Sequence, residues 1–343
     1  MKTIKIVKPH QVEIQECEKP ERKEGEALLK ILYGGICGSD LGSYRGTFAY
    51  FDYPRTPGHE FSAEIVDIDE NNEYGLKKGM KVTCNPYFNC GHCYSCERGL
   101  VNACTDNQTM GVQREGAFSE YISMPLERIY DGKGLDPKLL TIIEPFCISW
   151  HGVKIGGVQK SDKVLVVGAG TIGVFAALSA KLKGAEVYIC DVSEEKLDYA
   201  MENFGFDGKI VNSSEEEFKK SVDEITDNKG FDVCIEAVGL PQTFQNCIDA
   251  SCFGGNVVLI GVGKKNLDFN FTIIQKKELN IFGSRNALKE DFLDLIDLVK
   301  DNQEMVEKVI TNTYKMDDIK EAFNDFDNNK GGHMLKVVID FTK

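Results

Sequence analysis

The sequence has no uninterrupted apolar run long enough to cross a bilayer. Its most apolar segment, residues 164–180, follows Lys163 and is broken by Gly168, Gly170 and Gly173. It also lacks the apolar stretch of a secretory leader, because residues 1–9 alternate apolar and charged side chains as a half-buried strand does. The chain is therefore expected to start at Met1 and to work in the cytoplasm. Basic charge is in short supply too. Lys and Arg number 40 against 54 Asp and Glu, a net charge of −14 at pH 7, which repels phosphate backbones and anionic lipid surfaces. Neither nucleic acid nor membrane is an expected partner, and an anionic substrate would need a local basic pocket. No internal repeat, low-complexity tract or long linker is present.

Cysteine, by contrast, is plentiful, with twelve in 343 residues. Four of them, Cys90, Cys93, Cys96 and Cys104, follow a CxxCxxCx7C pattern. A mid-chain cluster without a leader points away from disulfides and toward one tetrahedral Zn²⁺ held by four thiolates, the closed arrangement of a structural site. Cys17, Cys84, Cys147, Cys190, Cys234, Cys247 and Cys252 lie mostly in apolar patterns and read as core residues.

A chain of this length is expected to form about two domains. Up to about residue 145 short alternating strands, such as 27–33 and 61–68, are punctuated by Gly, Pro and Asp, which predicts a small β-rich domain. From Lys163 the texture changes to apolar strand (164–167), Ala-rich helix (174–183) and strand again (186–190), with further buried strands at 233–237 and 257–260. That alternation predicts βαβ crossovers in a parallel sheet. An amphipathic helix near 289–300 and a last strand near 335–341 are expected to return to the first domain. The predicted division is 1–145, 146–283 and 284–343.

The strand 164–167 runs into Gly168, Ala169, Gly170, Thr171, Ile172 and Gly173, a GxGxxG turn opening a helix. In that context the first glycine permits the tight turn, the second lets backbone approach a pyrophosphate and the third allows close helix packing. Asp191, ending the next strand, is placed to accept hydrogen bonds from the adenosine ribose and to repel a 2′-phosphate, which predicts NAD rather than NADP. Lys196 is within reach of the same ribose. Asp191 as a helix N-cap and Lys196 as a surface lysine are the plainer readings.

Cys37 lies in Gly-Ile-Cys-Gly-Ser-Asp (35–40), His59 and Glu60 follow the turn Pro57-Gly58, and Glu144 precedes Pro145. All are good zinc ligands, and three protein ligands plus an open position is the catalytic pattern. Spacing alone does not show that they meet, and a lone Cys or His is as readily a core residue.

Taken together, the 35–40 motif, Gly-His-Glu at 58–60, the four-cysteine lobe, Ile-Glu-Pro-Phe at 143–146 and the glycine turn resemble the zinc-dependent medium-chain dehydrogenase/reductase family over essentially the whole chain. Glu144, where other alcohol dehydrogenases carry cysteine, makes the chain similar to the polyol and threonine dehydrogenase branch. The resemblance implies an α/β protein with a GroES-like β-rich catalytic domain and a Rossmann doubly wound parallel-sheet domain, assembled as a dimer or tetramer. It implies a catalytic zinc on Cys37 and His59, with Glu60 and Glu144 binding directly or through water. Asp40 would orient the His59 ring through its other nitrogen, and Ser39 would begin the proton relay. The zinc would lower the pKa of a substrate hydroxyl, NAD would accept the hydride, and the cleft between the domains would exclude water.

One departure is Gly42, where many relatives place a histidine that passes the proton onward. Tyr44 matches an aromatic near the substrate of polyol dehydrogenases, or is simply a buried loop aromatic. With Tyr50, Pro54, Arg55, His151 and Gly-Ser-Arg-Asn at 283–286, the chain is similar to sugar-acid dehydrogenases of the L-galactonate or L-gulonate type. Arg285 would then hold the hexonate carboxylate, aided by Arg45, Arg55 or Arg114; the plainer reading pairs it with Glu290 or Asp291. Neutral polyols (sorbitol, xylitol, butanediol) and L-threonine are the alternative substrates, and a zinc- and NAD-binding protein without turnover is the alternative class. His10, His92 and His333 have no assigned role.

Overall fold

The computed structural model describes residues 1–263, 265–329 and 332–343. They divide into two compact units, one built from Met1–Pro145, the stretch beginning at Leu288, and Met334–Lys343, the other from Phe146–Ala287 joined by His333.

The first unit is organised by one long strand, Glu26–Ile36, whose apolar residues Ala27, Leu29, Ile31 and Ile36 are fully buried. Its length lets it pair with three partners. Glu60–Asp67 lies antiparallel to it on one side, Lys336–Asp340 antiparallel on the other, and Tyr121–Pro125 covers its first half. Ile310–Lys315 at one end, Lys81–Cys84 and Ile129–Asp131 at the other complete a seven-stranded sheet. Two registers shape the end of the long strand. Gly35 faces Glu60, and Ile36 faces Val337. These pairings bring Cys37, Glu60 and Lys336 to one end of the sheet, although they come from three distant stretches of chain.

The second unit is a six-stranded parallel sheet in the order Gly208–Val211, Glu186–Asp191, Lys163–Val167, Phe231–Glu236, Ser251–Leu259, Asn280–Gly283. The central strands are mostly apolar and buried, apart from Lys163 and Asp232 near their starts and Glu236 at an end, as a parallel sheet covered on both faces requires. The chain winds outward in opposite directions from Lys163–Val167 and Phe231–Glu236, and the crevice beyond the carboxyl ends of such a pair is where α/β sheets bind ligands. This is the α/β, doubly wound class that the glycine turn predicts. Among the described residues no helix is long and apolar enough to cross a membrane.

Candidate metal centre and dinucleotide turn

Cys37 leaves the long strand in an extended conformation and caps the helix Gly38–Arg45. Asp40, on the first turn of that helix and 1% exposed, accepts hydrogen bonds from the backbone N–H of Cys37 at 2.9 Å and of Gly58 at 3.3 Å. Its carboxylate therefore clips together the two loops that carry Cys37 and His59, whereas the family pattern suggested that it would hold the His59 ring. The sulfur of Cys37, a ring nitrogen of His59 and a carboxylate oxygen of Glu60 all lie within 4.8 Å of one another.

His59 Nδ1 is buried and has no hydrogen-bond partner among the described residues. Buried polar atoms are almost always partnered, so this nitrogen is left for a further group, and the same ring brings a nitrogen within 4.8 Å of a thiol and a carboxylate, a donor set with a place for a cation. The local electrostatics agree. Burial works against a charged His59, yet Cys37, Asp40 and Glu144 together hold its pKa well above the usual 6.5. Burial likewise raises the Asp40 carboxyl. The cluster concentrates negative groups that want a positive partner, and a mixed thiolate, imidazole and carboxylate donor set fits zinc.

Glu144 sits in the first turn of the helix Ile143–Ile155 and is 3% exposed. Burial pushes its carboxyl up to about 7 against the pull of His59, with Glu60 adding to the rise. The Tyr87 hydroxyl donates to Glu144 Oε1. Glu144 thus acts on the cluster through its charge, but it is not one of the three residues whose ligand atoms converge within 4.8 Å.

Sequence reasoning missed two neighbours of this centre, Tyr87 and Lys336. Lys336 is 2% exposed, and its Nζ donates to both oxygens of Glu60, at 2.7 and 2.6 Å, and to the carbonyl of Ile36 at 3.3 Å. The signal for it was present: Lys336 is a lone cation beside the apolar run Val337, Val338, Ile339, where a charge survives burial only if it is paired.

Ser39 is half-buried, and its carbonyl accepts from the Ser43 hydroxyl. A Cβ at Gly42 would lie 3.2 Å from the Cβ of Phe48, a tight contact that a small shift of Phe48 would have to relieve. Tyr44 packs its ring on His10 and Phe323, with centroids 5.3 and 5.2 Å away, and so serves the core of its unit. Arg45 pairs with Asp327, Arg55 donates to the Val112 carbonyl, and Arg114 stacks over Phe88 at 3.9 Å. Arg285 belongs to the second unit and is exposed, just after the strand Asn280–Gly283.

The sulfurs of Cys90, Cys93, Cys96 and Cys104 also lie within 4.8 Å of one another, and none is in a disulfide. The short helix Tyr94–Glu97 and the turns around it aim backbone N–H groups at the sulfurs. Cys104 Sγ accepts from Cys90 at 3.2 Å and from Asp106 at 3.4 Å. Backbone N–H groups of Thr105 and Cys96 bring the Cys93 thiol down to about 5. Amide donors that favour thiolates in this way prepare the lobe for a tetrahedral Zn²⁺.

In the second unit the glycine turn packs as the fingerprint requires. A Cβ on Gly173 would fall 1.8 Å from the Gly168 carbonyl oxygen, whereas one on Gly170 would meet nothing within 4 Å. The third glycine is thus demanded by close packing, and the second faces open space at the N-terminus of the helix Thr171–Leu182. Asp191 Oδ2 accepts from the Ala169 N–H at 2.7 Å and Oδ1 from the Ser193 N–H at 2.9 Å. The N-cap of the following helix Glu194–Phe204 is Ser193, which accepts from the Lys196 N–H. That removes the plainer reading of Asp191. Lys196 is half-buried on the first turn of that helix. Gly173→Ala is expected to weaken NADH binding by more than tenfold, read by the change in NADH fluorescence on titration, because the turn must open to admit the methyl. Unchanged affinity would refute this role for Gly173.

Comparison with known proteins gives a consistent result. Residues 23–132 match the alcohol dehydrogenase GroES-like domain, and residues 171–301 match the family described as zinc-binding dehydrogenase. L-galactonate-5-dehydrogenase of Escherichia coli K12 is 33% identical over 345 residues, covering 99% of this chain and 100% of that protein. The starvation-sensing protein RspB of the same organism is 34% identical, covering all of both chains. The crystal structure of rspB from E. coli CFT073, complexed with NADH, superposes with a TM-score of 0.91 at 32% identity and 99% coverage of each chain.

Proposed function

Because this chain belongs to the zinc-dependent medium-chain dehydrogenase family, we propose that it oxidises a secondary alcohol of a sugar acid, a hexonate such as L-galactonate or L-gulonate, with NAD as acceptor. The observation that carries the chemistry is the convergence of ligand atoms of Cys37, His59 and Glu60 within 4.8 Å of one another. Zinc, when bound, polarises the substrate hydroxyl, and NAD accepts the hydride.

The chain's own residues do the rest. Cys37 and His59 hold the metal, and the carboxylates of Glu60 and Glu144 complete its surroundings, directly or through water. Asp40 keeps the two ligand-bearing loops in register. Ser39 Oγ receives the proton of the substrate hydroxyl; with Gly42 in place of a histidine, that proton leaves through water or the cofactor ribose. The amides at the start of Thr171–Leu182 meet the pyrophosphate, and Asp191 accepts from the adenosine ribose. Both Asp191 oxygens already bind a backbone amide, but each keeps a further lone pair for a hydroxyl. A 2′-phosphate at that place would face this carboxylate. Cys90, Cys93, Cys96 and Cys104 hold a second, structural zinc.

The substrate class is supported by the full-length likeness to an L-galactonate-5-dehydrogenase and by Arg285, whose planar fork suits a carboxylate. Arg45, Arg55 and Arg114 each make a contact within the first unit, with Asp327, the Val112 carbonyl and the Phe88 ring. The test is a panel of hexonates, sorbitol, xylitol, butanediol and L-threonine with NAD at alkaline pH, followed as NADH absorbance. Hexonates are expected to give the highest kcat/KM. Arg285→Ala should lower that value by about 10- to 100-fold, as loss of a charge-assisted pair does, and leave sorbitol oxidation unchanged. Preference for a neutral polyol or threonine, or an indifferent Arg285 variant, would overturn the substrate assignment. The same reading has the chain assemble as a dimer or tetramer, which light scattering on a sizing column checks.

A further inference from the structure

The ion pair between Lys336 and Glu60 is the least expected feature of the first unit. Both side chains are almost fully enclosed, 3% and 1% exposed, and each belongs to a different strand flanking Glu26–Ile36. Burying an ammonium and a carboxylate together gains little stability, since an apolar pair of the same volume usually does as well or better. The pair must therefore be explained by what surrounds it.

Two observations define those surroundings. Glu60 lies against the bare backbone of Gly35, where an added Cβ would sit 2.3 Å from Oε2, so this glycine makes room for the carboxylate beside the sheet. In that place the Lys336 ammonium grips both oxygens. Yet a Glu60 oxygen remains within 4.8 Å of the ligand atoms of Cys37 and His59. Glu60 is thus near enough to close the coordination of a metal held by those two residues, and it is tethered from behind by one cation.

We infer that Lys336 is a positioning residue of the metal centre. By anchoring Glu60 against Gly35, it keeps that carboxylate from occupying the coordination position the substrate oxygen needs. Without the anchor, Glu60 binds the metal permanently. The inference rests on the reading that Cys37 and His59 hold zinc. It assigns the two carboxylates unequal parts: Glu144 is held by a neutral phenol and Glu60 by a charge.

The experiment uses the full-length protein with Co²⁺ in place of zinc at the Cys37 site, since the visible absorption of Co²⁺ falls in intensity when coordination rises above four. Lys336→Met is expected to weaken that absorption, to slow release of the metal to a chelator severalfold, and to lower kcat by about 10- to 100-fold, the usual cost of losing a residue that orients a ligand. Lys336→Arg should restore all three. Lys336→Met/Glu60→Gln should return absorption and release to the values of Glu60→Gln alone. A folded Lys336→Met protein with wild-type absorption and release would overturn the proposal. If Lys336→Met does not fold, the double variant decides: any difference from Glu60→Gln would show Lys336 acting independently of Glu60, which also overturns it. A wild-type protein that binds metal only at the four cysteines would instead sink the underlying reading.

Discussion

Cys37→Ser is expected to leave one zinc per chain where the wild-type protein holds two, and to lower kcat/KM by three or more orders of magnitude. A serine hydroxyl is a far poorer zinc ligand than a thiolate, and the loss of the metal's charge at the reacting oxygen costs several kcal/mol, about 1.4 for each factor of ten. The fold should survive. Cys37 is only partly buried, its backbone N–H to Asp40 is unaffected, and serine is a favoured residue at a helix N-cap. The measurement is elemental analysis of zinc beside NADH production and thermal unfolding. A variant that keeps two zinc ions and wild-type turnover would remove Cys37 from the mechanism; one that loses activity by unfolding would show that its part is structural.

Cys104→Ser should produce the opposite pattern, a large loss of stability with the dinucleotide site intact. Cys104 is fully buried, and its sulfur accepts two backbone N–H groups while lying 3.9 Å from the sulfur of Cys93. Without it, three cysteines with a thiol as low as about 5 stay crowded together, and the metal that compensated them is held weakly. Because a structural zinc contributes folding free energy directly, a loss of about 4 kcal/mol, or roughly 6 °C in Tm for a chain of this size, is expected. Limited proteolysis should cut between Cys90 and Cys104. NADH titration should be unchanged, since the glycine turn and Asp191 belong to the other unit. An unaltered Tm with two zinc ions bound would refute the assignment of this lobe.

The two predictions draw on parts of the molecule that were unequally legible. The four-cysteine lobe and the glycine turn could be read directly, because their ligands are close in sequence and the local backbone alone brings them together. Asp191 followed from the same short-range logic, one strand on from the turn. Cys37, His59, Glu60 and Glu144 were different. Each was a plausible ligand, but only the family resemblance suggested that they meet. The part of Asp40 was misjudged for a related reason: whether a carboxylate faces a ring nitrogen or two backbone amides depends on how two loops stack. Tyr44 joined His10 and Phe323 because the helix that carries it packs on a segment from the far end of the chain.

By itself, then, the order of residues determined the alternation of strands and helices, the parallel dinucleotide sheet, the thiolate lobe and the inventory of metal-binding side chains, since all of these depend on periodicity or on spacing within a few turns of backbone. Only the tertiary structure decided which charges face one another. The pairing of Glu60 with Lys336, 276 residues away, arises from the register of two strands on either side of a third. In a β-sheet, a slip of one residue turns a side chain to the opposite face, so the partner of a buried charge is settled by the assembled sheet.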